Sequence, residues 1–288
     1  MAHLERAEVL KDARLFAELT PAALAARCPR LSIGRRHDGP RGGPAPSSLA
    51  ADVTARGWGE VVPSTDVATR EAMREAIERL DEAGLPLGAV YVFDELWHLG
   101  AELAAIASEA FGAPYALLTD FWAFHVPPGR SGWPAHRGTT DLLTRDRPEL
   151  LNVWVALSDV EADRSCMHLV PLDADAPYLA GHLADLPLVP AVSAPVRAGT
   201  ALVWNANVSH WGGPCLPDAL GARASVTFTL ALDGEPSPCL ADSKGWTRID
   251  ALAEQLLVYA AHATSEALDW ARTTEMLRGA VTAKPEVE

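Results

Sequence analysis

The spacing of apolar residues predicts helices in the first third of the chain. Met73, Ile77 and Leu80 recur at helical intervals, so an amphipathic helix is expected over 67–83. Asp66, directly before it, is a suitable N-cap because its carboxylate can accept a hydrogen bond from the first turn. The pattern therefore predicts a helix with one buried stripe.

The apolar run at 88–93 predicts a strand, and a second helix is predicted from 94 to 111, where Gly112 ends it. From Tyr115 onward, short apolar or alternating runs are separated by Gly, Pro and Asp, which is typical of strands. The strands predicted there are Tyr115–Leu118, Phe121–Val126, Leu151–Leu157, Cys166–Pro171, Pro195–Val196, Ala201–Asn205 and Ser225–Leu230.

The two ends of the chain differ in character from this β-rich centre. We expect residues 1–62 to form a variable N-terminal segment and 63–245 a helix-braced catalytic core. Helical periodicity returns near the C-terminus, so 246–288 is expected to form helices that pack on the core. A homodimer through these C-terminal helices is a further expectation.

Composition and charge exclude several classes of function. The 288 residues carry a formal net charge of −14, which disfavours a nucleic-acid partner because phosphate binding needs a basic patch. The four cysteines are widely spaced, so a zinc ribbon is unsupported and reduced thiols are expected. The N-terminus has no apolar signal segment, and no run reaches the length of a membrane span. These features predict a cytoplasmic protein without a membrane partner.

Two histidines and one arginine have the spacing of a metal and carboxylate site. His136 ends the segment Gly-Trp-Pro-Ala-His, and His210 is predicted to close a β-strand. Thirteen residues beyond it stands Arg223, two before Ser225. Residues two apart on a strand share one face, so both can contact one ligand. An arginine fork matches a carboxylate and stays charged, which suits a dicarboxylate ligand.

These residues resemble those of the non-haem Fe(II)/2-oxoglutarate oxygenases, specifically the phytanoyl-CoA hydroxylase-like branch. The resemblance covers approximately 66–262. It implies an α+β fold with a mostly β core, namely a double-stranded β-helix (a cupin-like jelly roll) with flanking helices. It also implies that His136 and His210 bind Fe(II), and that Arg223 and Ser225 bind the far carboxylate of 2-oxoglutarate.

The sequence departs from the family at the third iron ligand. The carboxylate expected two residues after His136 is replaced by Gly138. Such a triad resembles that of the iron halogenases, where chloride occupies the vacated position. Two alternatives to chloride stay open: Asp141 substitutes for the lost carboxylate, or the chain is a hydroxylase whose Asp ligand was replaced.

Two further interior contacts are expected on the strand that contains Asn152 and Trp154. These residues share one face of the strand, so both are predicted to contact the co-substrate inside the barrel. An interior amide needs a hydrogen-bond partner, which gives Asn152 a reason to contact a ligand.

The sequence thus predicts an oxidoreductase that acts on an unactivated C–H bond of a small molecule. Its expected cofactors are Fe(II), 2-oxoglutarate and, for a halogenase, chloride. The catalytic residues are predicted to be His136, Gly138 and His210. The alternatives are a hydroxylase (dioxygenase) of the same family and a metal-free binding protein on the same barrel.

Overall fold

Two antiparallel β-sheets, braced by helices, make up the computed structural model, which describes residues 18–33, 45–118 and 121–232. The helices are α1 Pro21–Arg27, α2 Leu49–Arg56, α3 Val67–Glu82, α4 Asp94–Phe111 and α5 Ala176–Leu179, with a 3-10 helix at Leu87–Val92. The strands are β1 Trp58–Val61, β2 Tyr115–Leu117, β3 Trp122–Val126, β4 Leu150–Ala156, β5 Met167–Leu169, β6 Val192–Ala194, β7 Ala201–Asn205, β8 His210–Gly212 and β9 Arg223–Leu232.

The larger sheet has the order β1-β7-β4-β9-β2, and β3 pairs with the first half of β9. The smaller sheet has the order β6-β5-β8. Every strand pair is antiparallel. The long strand β9 therefore connects three neighbours, and its first residues lie against β3 and β4 together.

The two faces of the larger sheet meet different cores. Along β4, Leu151, Val153 and Val155 belong to the hydrophobic core that also contains the buried faces of α3 and α4. The alternate residue Trp154 belongs to a second core, shared with the smaller sheet. This alternation follows from the two-residue period of a strand, and it directs every second side chain into the space between the sheets.

Both long helices begin and end as the sequence predicted. Asp66 caps α3, where its carboxylate accepts a hydrogen bond from the Thr69 amide at 2.9 Å. The apolar stripe of α3 is buried, including Met73 and Ile77. Gly112 ends α4 in a left-handed conformation with φ of +61°, which glycine adopts at low cost.

The strand predicted over 88–93 is wrong, because this run forms the 3-10 helix Leu87–Val92. A short, wholly apolar run gives the same pattern in a buried strand and in a buried helical turn. All six residues are buried, and the hydroxyl of Tyr91 donates to the Thr227 carbonyl of β9 at 2.7 Å. The run thus packs across the sheet instead of joining it.

Two strands in the smaller sheet also differ from the prediction. The strand predicted at Pro195–Val196 lies three residues earlier, in β6, because Pro195 has no N–H group with which to continue the pairing. His210 was expected to close a strand, but it opens β8. The strand β1 and the helix α2 were not predicted at all.

The C-terminal helices and the dimer contact expected from them lie outside the described residues. The division into three parts likewise stays a prediction, although β1, from the predicted N-terminal segment, pairs with β7. None of the described helices is both long enough and apolar enough to cross a membrane.

Candidate metal centre

The two predicted iron ligands are held next to each other by backbone pairing. The amide of His136 donates to the His210 carbonyl at 3.0 Å, and the His210 amide donates back at 2.9 Å. This isolated antiparallel bridge places the two imidazole rings side by side, with centroids 4.2 Å apart. Two residues 74 positions apart in the chain therefore converge on one point.

Backbone carbonyls orient both rings. Nδ1 of His136 donates to the Pro134 carbonyl at 2.9 Å, and Nδ1 of His210 donates to the Val208 carbonyl at 2.9 Å. In a neutral imidazole that donates through Nδ1, Nε2 is the nitrogen with the lone pair for a metal. Burial, and then the neighbouring His136, lower the pKa of His210 to about 3. His210 is thus neutral at physiological pH, as a metal ligand must be.

No third protein ligand completes the pair. Across the described residues, no group of three His, Cys, Asp or Glu side chains converges on a metal position. Asp141 is exposed, and its backbone is held by Thr139 and Asn207. The structure therefore gives no support to Asp141 as the substitute carboxylate, and Gly138 leaves the position two after His136 without an anion.

Arg223 is a buried cation in the interior of the barrel. Its side chain is 1% exposed, and within the described ranges no carboxylate lies in ion-pair distance. One guanidinium nitrogen donates to the Ser225 hydroxyl at 3.1 Å, whereas Nε has no hydrogen-bond partner. Burial lowers the pKa of Arg223 to about 10, so the group is still charged at neutral pH.

Aromatic rings surround this guanidinium. Its carbon lies 5.5 Å from the ring centre of Phe124 and 5.7 Å from that of Trp154. The indole N–H of Trp154 is buried and has no acceptor in the described structure. A desolvated cation with unused donors beside it fits an incoming carboxylate, because such a ligand would pair the charge and the donors at once.

Asn152, which was predicted to contact the co-substrate, lies near Gly138. It follows the register of β4 opposite Trp204 of β7, whose ring is 4.7 Å from that of His210. A Cβ atom built on Gly138 would lie 2.5 Å from the amide nitrogen of Asn152. Asn152 is therefore adjacent to the missing ligand, whereas Trp154 is adjacent to the predicted carboxylate anchor.

A buried ion pair, which was not predicted from the sequence, fixes the segment that contains His136. Arg137 and Asp175 lie 2.8 Å apart, with side chains 1% and 0% exposed. The guanidinium also donates to the carbonyls of Leu183, Asn207 and Asp185. The signal was available: Arg137 alternates with His136 along an extended segment, so its side chain points away from the metal.

An aromatic wall flanks the first histidine. The ring of Trp133 lies 6.4 Å from that of His136, 5.5 Å from Trp122 and 6.1 Å from Phe124. All three of these tryptophan and phenylalanine rings are half-buried. The wall gives the site an apolar side next to the ligands.

Two adjacent histidines and a buried arginine, in a fold of two antiparallel sheets, fit the site of a non-haem metal oxygenase. Residues 65–219 match the model of the family described as phytanoyl-CoA dioxygenase. This match spans more than half of the chain, so the protein belongs to that family. Membership confirms the predicted enzyme class, an Fe(II)/2-oxoglutarate-dependent oxygenase with that pair of cofactors.

Solved structures confirm the fold. AviO1 from Streptomyces viridochromogenes Tue57 superposes with a TM-score of 0.53 at 20% identity, covering 66% of this chain and 96% of that one. The non-haem alpha-ketoglutarate-dependent carbocyclase SnoK from nogalamycin biosynthesis gives 0.51 at 20% identity, covering 70% and 92%. The epimerase SnoN, in complex with Fe3+, alpha-ketoglutarate and nogalamycin RO, gives 0.50 at 19% identity, covering 69% and 94%. No curated protein sequence matches the chain.

These likenesses establish the double-stranded β-helix with flanking helices that the sequence predicted. They also make the metal-free binding protein the weakest alternative, since the chain belongs to a family of oxygenases. The role of each site residue and the nature of the third iron ligand go beyond the family assignment.

Proposed function

We propose that the protein is a halogenase within this family. Chloride would bind iron at the position that the carboxylate ligand occupies in other members. His136 and His210 would hold the Fe(II) ion. Arg223 and Ser225 would bind the far carboxylate of 2-oxoglutarate, with Trp154 beside it. The substrate would be a small molecule with an unactivated C–H bond, as nogalamycin RO is the small molecule named with SnoN.

One observation carries the proposal: the two adjacent histidines have no carboxylate partner among the described residues. Replacing an Asp ligand by Gly removes one negative charge and opens one coordination position. A chloride ion restores both, because it is itself an anion and can bind iron directly. Gly138 is also exposed at the surface, so an ion can enter from solvent.

The residues of the chain would bind the metal and orient the co-substrate. Bound iron with 2-oxoglutarate and dioxygen supplies the oxidising power for the C–H bond. The imidazoles of His136 and His210 would bind the metal through Nε2, and the buried Arg223 would orient the co-substrate. The overall reaction balances as R–H, 2-oxoglutarate, O2, Cl− and H+ giving R–Cl, succinate, CO2 and H2O.

Hydroxylation is the second candidate, because the exposure of Gly138 admits water as well as chloride. Water can reach the same position and complete the coordination of iron as a neutral ligand. The reaction would then give R–OH, succinate and CO2 from R–H, 2-oxoglutarate and O2. The two candidates differ in whether an anion binds at iron.

Anaerobic titration with Fe(II) and 2-oxoglutarate tests the proposal, with chloride compared against a non-coordinating anion at equal ionic strength. Chloride is expected to shift the visible charge-transfer band and to tighten 2-oxoglutarate binding, because an anion changes the charge and field of the metal. An identical band and affinity at every chloride concentration would contradict halogenation and favour the hydroxylase.

Single substitutions test whether the two histidines are the iron ligands. His136→Ala and His210→Ala are each expected to abolish the band, with or without chloride. A full band in both variants would show that the ligands lie elsewhere. His125→Ala is the matched control, because His125 pairs with Asp81 at 2.7 Å outside the barrel and its loss leaves the site intact.

A further inference from the structure

A neighbouring side chain lies against the position that a Cβ atom on Gly138 would occupy. A Cβ atom at this position would lie 2.5 Å from Nδ2 of Asn152, closer than such contacts occur. It would also lie 3.1 Å from Cβ and 3.3 Å from the carbonyl oxygen of Ala206. Any side chain at 138, including the family's aspartate, therefore meets Asn152 first.

The backbone at this position cannot easily move away from the contact. The amides of Gly138 and Thr139 both donate to the Ala206 carbonyl, at 2.8 and 3.3 Å. On the flanking sides, the His136–His210 bridge and the buried Arg137 side chain hold the same segment. Because the backbone is pinned, only the Asn152 side chain can give way to a larger residue.

Asn152 itself is fixed in the middle of the sheet. It lies on β4 opposite Trp204 on one side and Thr229 on the other. Its side chain is half-buried, and its amide has no hydrogen-bond partner among the residues that the structure describes. An amide has two N–H donors, and those of Asn152 are therefore available to a ligand.

We infer that Asn152 is the specificity-determining residue at the third ligand position of iron. Its amide nitrogen lies where it would contact the Cβ atom of a ligand residue at 138, and it offers N–H donors to a small anion beside that position. This inference rests on the proposed function, because it names the group that receives the anion. It places the contact of Asn152 at the iron end of the site.

The chemistry of the amide suits this role. The group is neutral, so it neither repels an anion nor supplies the negative charge that Fe(II) lacks. An N–H group that donates to an anion forms a stronger hydrogen bond than a neutral pair does.

A double-mutant cycle tests the inference through metal binding and needs no substrate. The Fe(II) affinity of the full chain is measured anaerobically, in chloride-free buffer, for the parent, Gly138→Asp, Asn152→Ala and the double variant. Gly138→Asp alone is expected to bind iron within about threefold of the parent, because the carboxylate meets the Asn152 amide. The double variant is expected to bind iron at least tenfold more tightly than Gly138→Asp does. If Asn152→Ala alone leaves the iron affinity unchanged, this gain is a coupling of about 1.4 kcal/mol.

Thr229→Ala is the matched control, since Thr229 is the half-buried neighbour of Asn152 in the register. Combined with Gly138→Asp, it is expected to give no gain in iron affinity. Equal affinity in Gly138→Asp and in Gly138→Asp/Asn152→Ala would overturn the inference. Circular dichroism confirms that each variant is folded, and Asn152→Ser replaces Asn152→Ala if the latter is not.

Chloride titration of the Asn152→Ala protein gives the second measurement. Its band is expected to need at least tenfold more chloride than the parent for half of the full shift. An unchanged chloride midpoint would overturn the inference but leave the halogenase proposal standing. The absence of any chloride response in the parent would contradict halogenation and, with it, the anion contact of Asn152, even if the mutant cycle shows rescue.

Discussion

Arg223 is a residue that is costly to the fold and that we propose to be necessary for binding 2-oxoglutarate. A buried guanidinium without a carboxylate partner is unfavourable, since burial removes its hydration. Here the cost is only partly offset by the Ser225 hydroxyl and the rings of Phe124 and Trp154. A ligand carboxylate would complete the pairing, which explains why a charge is kept inside the barrel.

Replacing Arg223 with Met should therefore separate stability from binding. We expect the ligand-free protein to melt at the same temperature or higher, because an unpaired buried charge is removed. Binding of 2-oxoglutarate should weaken by about 2–5 kcal/mol, or roughly thirtyfold or more. Thermal melts with and without the Fe(II) and 2-oxoglutarate pair measure both effects.

The Arg223→Lys variant is the control for charge alone. It retains the cation but not the planar fork, so its affinity should fall between those of the parent and the Met variant. Unchanged 2-oxoglutarate binding in Arg223→Met would show that the co-substrate is anchored elsewhere.

At the scale of elements, the position of the segment that contains His136 depends on the ion pair between Arg137 and Asp175. The pair links the segment that contains His136 to the cap of the short helix α5, where Asp175 also accepts from the Tyr178 amide at 2.9 Å. Because Arg137 and His136 are adjacent in the chain, this ion pair also restrains the backbone of His136.

Arg137→Met should destabilise the protein by about 3–5 kcal/mol, because it leaves the Asp175 carboxylate buried without its partner. Arg197→Met is the matched control. Arg197 is 78% exposed and pairs with Asp159 at 3.1 Å, and exposed pairs contribute about 0–1 kcal/mol. Urea unfolding measures both variants, and equal losses would contradict the structural role of the buried pair.

Sequence patterns were informative where they were long and periodic. The helix over 67–83 and the helix from 94 to 111 were predicted nearly to the residue, because caps and stripes lie within each element. The run at 88–93 was not, since a short apolar segment lacks a period that separates strand from helix.

The candidate site shows the same division. The proximity of His136 and His210 was predicted from their resemblance to a known motif, and the structure brings them together. The contact between Gly138 and Asn152 was not, because it depends on the register of β4 against β7 and on the turn at Ala206. Such contacts between distant elements leave no trace in local spacing.

At the scale of the whole molecule, the larger sheet is shared by two cores. Its outer face packs against the helices, and its inner face packs against the smaller sheet around the site. Phe228 of β9 lies in the outer core, 1% exposed, with its ring 5.7 Å from that of Tyr91 and 6.1 Å from that of Phe121. The helical layer thus supports the same strand that carries Arg223.

Phe228→Ala should cost about 3–5 kcal/mol of the free energy of unfolding, because it leaves a cavity between sheet and helices. The loss should appear as one earlier transition in urea, reported alike by tryptophan fluorescence and circular dichroism. Two separate transitions would mean that the helical layer and the barrel unfold independently. A cost under about 1 kcal/mol would mean that the ring is not packed as described.

The claim that an anion completes the iron site can be tested most directly with bromide. Bromide is a strong X-ray scatterer, so it is visible next to iron in the absorption spectrum of the metal. The measurement is iron-edge X-ray absorption of the anaerobic complex with Fe(II), 2-oxoglutarate and bromide. We predict a bromide scatterer in direct contact with iron, weakened in Asn152→Ala. A coordination shell of nitrogen and oxygen alone, at saturating bromide, would contradict the claim.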